Sequence, residues 1–515
     1  MVAYLKSAMV VSIGTLISRI LGMARDIAMA SAFGAGVVLD AFLLAFTIPN
    51  LFRRLFGEGA LSGAFLPVFT ATIEQQDRPA AFRLANKMLT LLGLVLGGIV
   101  VVGSLVCVGL YYSGWLSDKN RLAMGLLAVM MPYMALICLA AVLGTILNAL
   151  HHFLMPALCP AVLNVVWLFG IFCLAPLFGN TPHAWAYGMA VAIVIGGVLQ
   201  VAMQWPPLRR QGLIFQPDCD YQDPGVQKTM ANMGPVIIGS LVLQINVLLD
   251  RLIAWLLIPN PGSLTVLYMG DRLMEFPLSI IGISLATVVF PIFARHVAKG
   301  ERDKLAIAIP QALRVTLFLS LPASIGLFVL AFPLIALIYQ HQSFTEQAAT
   351  RTGYVLMAYA CSLWIYVMLP IISRAFYALG DTRTPMRIAT GCVAVALVFK
   401  LALVPFFHEI GLATATSLGA VVNLILLLRL LQKKIPLAWQ GIVPFLAKSI
   451  AAAATMGLFV WLAAFGPTYP RSLAGRLAQA MIPITIGMTC YFCCTLALRI
   501  PEMNYFLRKG KAVEK

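Results

Sequence analysis

The chain has 515 residues, of which 61% are hydrophobic and 11% charged, and its formal net charge is +17. A soluble domain carries about 25% charged residues, so this much apolar surface excludes a water-soluble globular fold and predicts an all-α polytopic membrane protein. The positive excess would suit a nucleic-acid binder, but its distribution along the chain argues for membrane topology and against nucleic acid.

A membrane-spanning helix needs ~20 mainly apolar residues. With Gly, Pro and charged clusters as breaks, the sequence predicts fourteen spans, near 8–32, 38–70, 88–112, 122–150, 156–178, 183–206, 232–258, 264–294, 312–338, 350–378, 386–406, 410–431, 441–465 and 475–498. The first is long and carries arginines, unlike a cleavable secretion signal. Lys and Arg concentrate on alternate connections (Arg78, Arg83, Lys87, Arg209, Arg210, Lys299, Arg302, Lys304, Arg383, Lys433, Lys434) and on the tail from Arg499, while the opposite connections carry few. The positive-inside rule then places both termini in the cytoplasm, with attraction to anionic membrane lipids a secondary effect.

Two parts of the chain echo each other at a spacing near 225 residues: Leu61–Phe69 resembles Leu285–Phe293. Six spans per copy is an even number, so the copies enter the membrane from the same side. That predicts two parallel six-helix repeats around a central cationic cavity, plus two extra C-terminal helices. The expected division is 1–210 (N-lobe), 211–231 (cytoplasmic linker), 232–434 (C-lobe), 435–498 (last two helices) and 499–515 (basic tail).

The unusual residues are charges within apolar runs, which normally face a protein interior or a wet cavity. The first span holds Ser18, Arg19, Arg25 and Asp26, with Ser18, Gly22 and Arg25 on one face. The second holds Asp40, Asn50, Arg53, Arg54 and Glu58, where Arg54 and Glu58 are spaced to pair one helical turn apart. The eighth holds Asp271, Arg272 and Glu275. Arginine presents a planar fork of donors suited to phosphate, so Arg19, Arg25, Arg53 and Arg272 are the candidates for an anionic substrate. The acids are the partners that lower the cost of burying unbound arginines. Asn246 and Asp250, one turn apart, form a candidate cation site, with pairing of Asp250 to Arg251 as the structural alternative. Gly93-x-x-x-Gly97 reads as a helix-packing motif. His151 and His152 read as solvated residues at a turn, Gly380–Pro385 as a turn, and Cys490-x-x-Cys493 as packing. No nucleotide-binding loop, metalloprotease helix or nucleophile–base arrangement is present, so the sequence predicts neither an enzyme nor a bound cofactor or structural metal.

The segments Ser18-Arg-Ile-Leu-Gly-Met-Ala-Arg-Asp26, Asp40-Ala-Phe42, Pro49-Asn-Leu-Phe-Arg-Arg-Leu-Phe-Gly-Glu-Gly-Ala60 and Asp271-Arg-Leu-Met-Glu-Phe-Pro277 resemble the signature segments of the MurJ (MviN) lipid II flippases, of the multidrug/oligosaccharidyl-lipid/polysaccharide exporter superfamily. The resemblance runs over the whole chain. It implies a bacterial inner-membrane transporter for lipid II, the undecaprenyl-diphosphate-linked disaccharide-pentapeptide precursor of peptidoglycan, working by alternating access. It also implies a lipid-tail groove on the last two helices, functional roles for Arg19, Arg25, Asp40, Asn50, Arg53, Glu58, Asp271, Arg272 and Glu275, and cell-wall synthesis proteins as neighbours. Ion coupling through Asp250 is poorly matched, and membrane potential, Na+ or H+ are the open energy sources. A complete pseudo-symmetric cavity suits a working monomer. The competing readings are an exporter of another polyprenyl-linked oligosaccharide or of drugs on the same fold, and a membrane enzyme acting on polyprenyl-diphosphates.

Overall fold

The computed structural model describes residues 2–470 and 472–503; the side chains of residues 2–8, 10, 57–62, 235, 238–240, 242 and 243 lie outside the described residues. Every regular element among the described residues is helical: α1 (Val2–Phe33), α2 (Val37–Phe52), α3 (Leu61–Gln75), α4 (Arg78–Tyr112), α5 (Asp118–Ala149), α6 (Leu154–Phe169), α7 (Pro182–Arg210), α8 (Pro224–Leu257), α9 (Ser263–Pro277), α10 (Ser284–Ala298), α11 (Arg302–Val329), α12 (Ala331–Ile338), α13 (Glu346–Ala360), α14 (Leu363–Ala378), α15 (Arg383–Lys434), α16 (Ile442–Phe465) and α17 (Leu473–Ala497). In hydrocarbon each backbone polar group must be satisfied within its own segment, which helices achieve.

Helix starts follow local chemistry. The side chains of Asp77, Thr181, Thr345 and Ser472 accept from the backbone N–H three residues on, with Asp77 Oδ1 2.6 Å from Ala80 N; such caps satisfy donors that a helix leaves orphaned. At the Gly380 turn (φ +76°), Asp381 accepts from Thr384 N at 2.9 Å and pairs with Lys434. Those two partners hold the Asp381 carboxyl well below the usual carboxylate range, the Lys434 bond first.

The chain forms two compact units. The first comprises Met1–Leu256 with Asn260–Thr265, and the second Leu257–Pro259 with Val266–Lys515. In the first, α5 is central: it packs on α2, α4 and α7, with Met130, Tyr133, Ile146 and Leu147 fully buried. The opposite apolar surface stays uncovered, as Val101, Val102 and Leu105 of α4 are exposed. A contiguous apolar exterior of this kind fits lipid, not water. After α7 the chain runs back along the base of α4: Asn86 donates to Ile214 O (2.9 Å), Thr90 accepts from Asp218 N (3.2 Å), and Lys87 lies 2.8 Å from both Asp220 and Asp223. In the second unit, α16 and α17 pack together and onto α11, where Tyr491 donates to Phe318 O and Arg314 pairs with Glu502 at 2.6 Å while lying over the Phe445 ring.

Two helical runs break in the same way. Between α2 and α3, Arg53–Ala60 is π-helical; between α9 and α10, Leu278–Ile283 is π-helical. The breaks begin 225 positions apart, and the following helices carry Pro67 and Pro291 at matching places. The sequence echo is thus also a structural one.

Among the described residues nine helices or continuous helical runs are long and apolar enough to span a membrane, or ten with the bent pair α13–α14, and the expected spans 8–32, 38–70 and 232–258 each include residues outside the described set. Arg383–Lys434 counts once, although its backbone leaves the helix at His408 (φ 48°, ψ −124°), between the eleventh and twelfth expected spans. A Cβ on Gly93 or Gly97 would meet nothing within 4 Å, so that motif is not a packing contact within the chain. α4 turns Leu92 and Leu96 to its neighbours, and its close approach to α5 is at Gly103, against Met131. His152 is not solvated at Nε2, which is buried and has no hydrogen-bond partner.

Candidate functional site

In the first unit, α1 delivers Arg25 and Asp26 to the interior, where they are 7% and 2% exposed. One carboxylate oxygen, Asp26 Oδ1, accepts from Arg25 Nε (3.0 Å) and Nη2 (2.7 Å). Neighbouring residues on a helix point about 100° apart, so this pairing turns the guanidinium back along its own helix. The rest of its setting comes from α6. Asn164 Oδ1 accepts from Arg25 Nη1 at 3.1 Å, and the Trp167 ring centroid lies 4.5 Å from the guanidinium carbon. Trp167 is itself held edge-on by Phe42 and Phe46, and Phe46 stacks on the buried Tyr133.

Arg53 stands where α2 gives way to the π-helix and donates from Nε to Asn50 Oδ1 at 2.9 Å. Arg54 is half-buried on the same stretch. Glu58, expected to pair with Arg54 one turn on, lies on the same π-helical stretch, and its side chain is outside the described residues. Asp40 is 5% exposed and does not join these arginines. Its Oδ1 accepts from Thr265 N (2.8 Å) and Thr265 Oγ1 (2.7 Å), tying the start of α2 to the first turn of α9. Close by, Gly262 (φ +83°) lies against Ala35, and a Cβ there would fall 2.5 Å from Ala35 O. Ser18 takes part through its backbone oxygen, which accepts from Asn164 Nδ2 at 3.0 Å, and Arg19 is on the exposed side of α1.

In the second unit, Arg272 Nη1 donates to Glu275 Oε2 at 2.8 Å, and Nε and Nη2 both donate to Tyr268 Oη at 3.1 and 3.0 Å. Asp271, Arg272 and Glu275 are all half-buried. Asn246 and Asp250 lie half-buried on α8. Among the described residues no group of three or more His, Cys, Asp or Glu side chains is arranged to hold a metal ion.

Each unit therefore holds arginines whose forks are already aimed: in the first by Asp26, Asn164 and Trp167 for Arg25 and by Asn50 for Arg53, and in the second by Glu275 and Tyr268 for Arg272. Guanidinium groups in that state suit a multiply charged oxyanion. Sequence reasoning missed Asn164, Trp167, Tyr268 and Thr265. Asn164 was findable, as the one amide in the apolar run from Ala161 to Phe172.

A model of the family described as lipid II flippase MurJ matches residues 29–468. The chain belongs to that MurJ family. A probable lipid II flippase MurJ of Vibrio cholerae is 33% identical over 520 residues, covering 96% of each chain. The lipid II flippase MurJ of Burkholderia cenocepacia is 32% identical over 469 residues, covering 89% of this chain and 90% of that protein. A solved structure of lipid II flippase MurJ in an inward closed conformation superposes with a TM-score of 0.79 at 23% identity, covering 97% of this chain and all of that one. An inward-facing multidrug-resistance MATE transporter of the MOP superfamily gives 0.66 at 15% identity, over 84% and 98%. These MurJ and MATE proteins thus share this chain's fold.

Proposed function

We propose that the chain moves lipid II from the cytoplasmic to the outer leaflet of the bacterial inner membrane by alternating access. The observation that carries this reading is the family membership together with a set of aimed intramembrane arginines. Arg19, Arg25, Arg53 and Arg272 hold the diphosphate, and Asp26, Asn50 and Glu275 are their partners in the unloaded protein. Asp271, Arg54 and Glu58 complete the polar network, while Asp40 holds α2 to Thr265. The polyprenyl tail stays in the bilayer, against α16 and α17, where Phe459, Thr485, Ile486, Thr489 and Cys490 line a groove of about 350 Å³. A ligand shifts a two-state equilibrium only through its different affinity for the two states, and arginines that exchange their acid and amide partners for the diphosphate supply that difference. An inside-negative potential of 100 mV favours outward movement of negative charge by ~2.3 kcal/mol per elementary charge, so potential alone can drive the cycle; Na+ or H+ coupling through Asn246 and Asp250 is the alternative source. Both termini are cytoplasmic, and the chain works as a monomer beside the enzymes of cell-wall synthesis.

The test is lipid II translocation in proteoliposomes holding the purified protein. Arg25→Ala and Arg272→Ala should each abolish it while remaining monodisperse. Wild-type protein that fails to translocate lipid II would overturn the function. Normal translocation by either variant would overturn the diphosphate site.

A further inference from the structure

α1 and α6 meet at three levels. At the first, a Cβ on Gly14 would sit 3.0–3.3 Å from the Cβ and backbone of Ala157, so the helices touch closely. At the second, Asn164 Nδ2 donates to Ser18 O. At the third, Asn164 Oδ1 and the Trp167 ring hold the Arg25 guanidinium. Asn164 and Trp167 are 7% and 2% exposed. Both ends of one buried amide are engaged: its oxygen takes a charged donor and its nitrogen gives to a carbonyl of the helix that carries that donor. The two contacts agree on which end is oxygen, so the amide's orientation follows from its partners.

We propose that Asn164 and Trp167 are positioning residues for substrate binding, which act through Arg25 by fixing the plane of its guanidinium. An arginine otherwise brings several rotatable bonds to a binding site, and ordering them at the moment of binding lowers affinity. Asp26 alone leaves the fork free to swing about the shared oxygen. Asn164 adds a second in-plane contact, and Trp167 fixes the face. The ring beneath the guanidinium also leaves the charge attractive to an anion arriving edge-on, because it satisfies the cation without offering a competing oxygen. This inference rests on the proposed diphosphate site, and it assigns to α6 a share in recognition that neither residue type would announce by itself.

A double-mutant cycle separates positioning from plain structural support. Lipid II affinity and translocation rate are measured for Asn164→Leu in the wild-type background and again in an Arg25→Ala background. Asn164→Leu should weaken binding about tenfold in the first and change it less than about twofold in the second, with the rate at saturating lipid II unchanged. Trp167→Phe, which keeps a ring and most of the volume, provides the same test should the leucine variant fold poorly, with a smaller loss that again vanishes without Arg25. Equal losses in both backgrounds, or an effect on melting temperature with unchanged affinity, would overturn the inference. Wild-type protein that does not bind lipid II would instead overturn the function on which it rests.

Discussion

Asp26 and Arg25 are adjacent in sequence and share one buried oxygen contact. Removing one member of a buried pair costs about 3–5 kcal/mol, mostly from the charge left behind. Asp26→Asn should therefore lower the melting temperature of the detergent-solubilised protein, and adding Arg25→Gln should recover part of the loss. A double variant no more stable than Asp26→Asn would show that the two side chains do not depend on each other. At this scale the sequence was informative about charge and poor about partners. The arginines and acids of α1, α2 and α9 stood out because charge is rare in apolar sequence. Tyr268 and Trp167 did not, because aromatic residues are ordinary there and only folding puts their oxygen or ring against a guanidinium. Asp40 looked like one more member of the charged set, yet it spends its carboxylate on Thr265; a backbone partner 225 positions away leaves no trace in residue type.

Among the helices, the expected boundaries fell close to Thr181, Thr345 and the Pro405–His408 break within α15, whereas the helix capped by Asp77 starts at Arg78 and not near 88. The π-helical stretches were not legible, because their hydrogen-bond register differs from an α-helix by one residue and leaves the apolar pattern nearly intact. Two of them matter to the site, one beginning at Arg53 and one lying just past Arg272, while another, Gly170–Leu174, follows α6. Deleting Ile281 from Leu278–Ile283 should let the run close as an α-helix and remove the widened turn that follows Arg272. The expected outcome is a protein that inserts and remains monodisperse but no longer translocates lipid II, read out in the same proteoliposomes. Unimpaired transport would mean that the extra residue is incidental to function.

For the molecule as a whole, the class of fold could be read from composition alone, since 61% hydrophobic residues with 11% charged leave few alternatives to a bundle in lipid. The number of spans was harder to read, because a long helix with one aberrant residue and a bent pair of short ones both blur the count. The Lys and Arg bias makes a sidedness prediction that chemistry can check. In a variant lacking native cysteines, Cys introduced at Ser117 should react with a membrane-impermeant maleimide added outside, and Cys introduced at Gln211 should not until the membrane is opened. The reverse pattern would invert the topology. The paired π-helices bear on history as well as mechanics. Each represents one residue more than a regular helix would hold, and the two extra residues stand at corresponding places in both halves of the chain. A coincidence of two separate insertions is less economical than a single one, made in an ancestral half-length gene before it was duplicated. On that account the irregularity is older than the two-fold protein itself, and both descendants have kept it while most of the surrounding side chains changed.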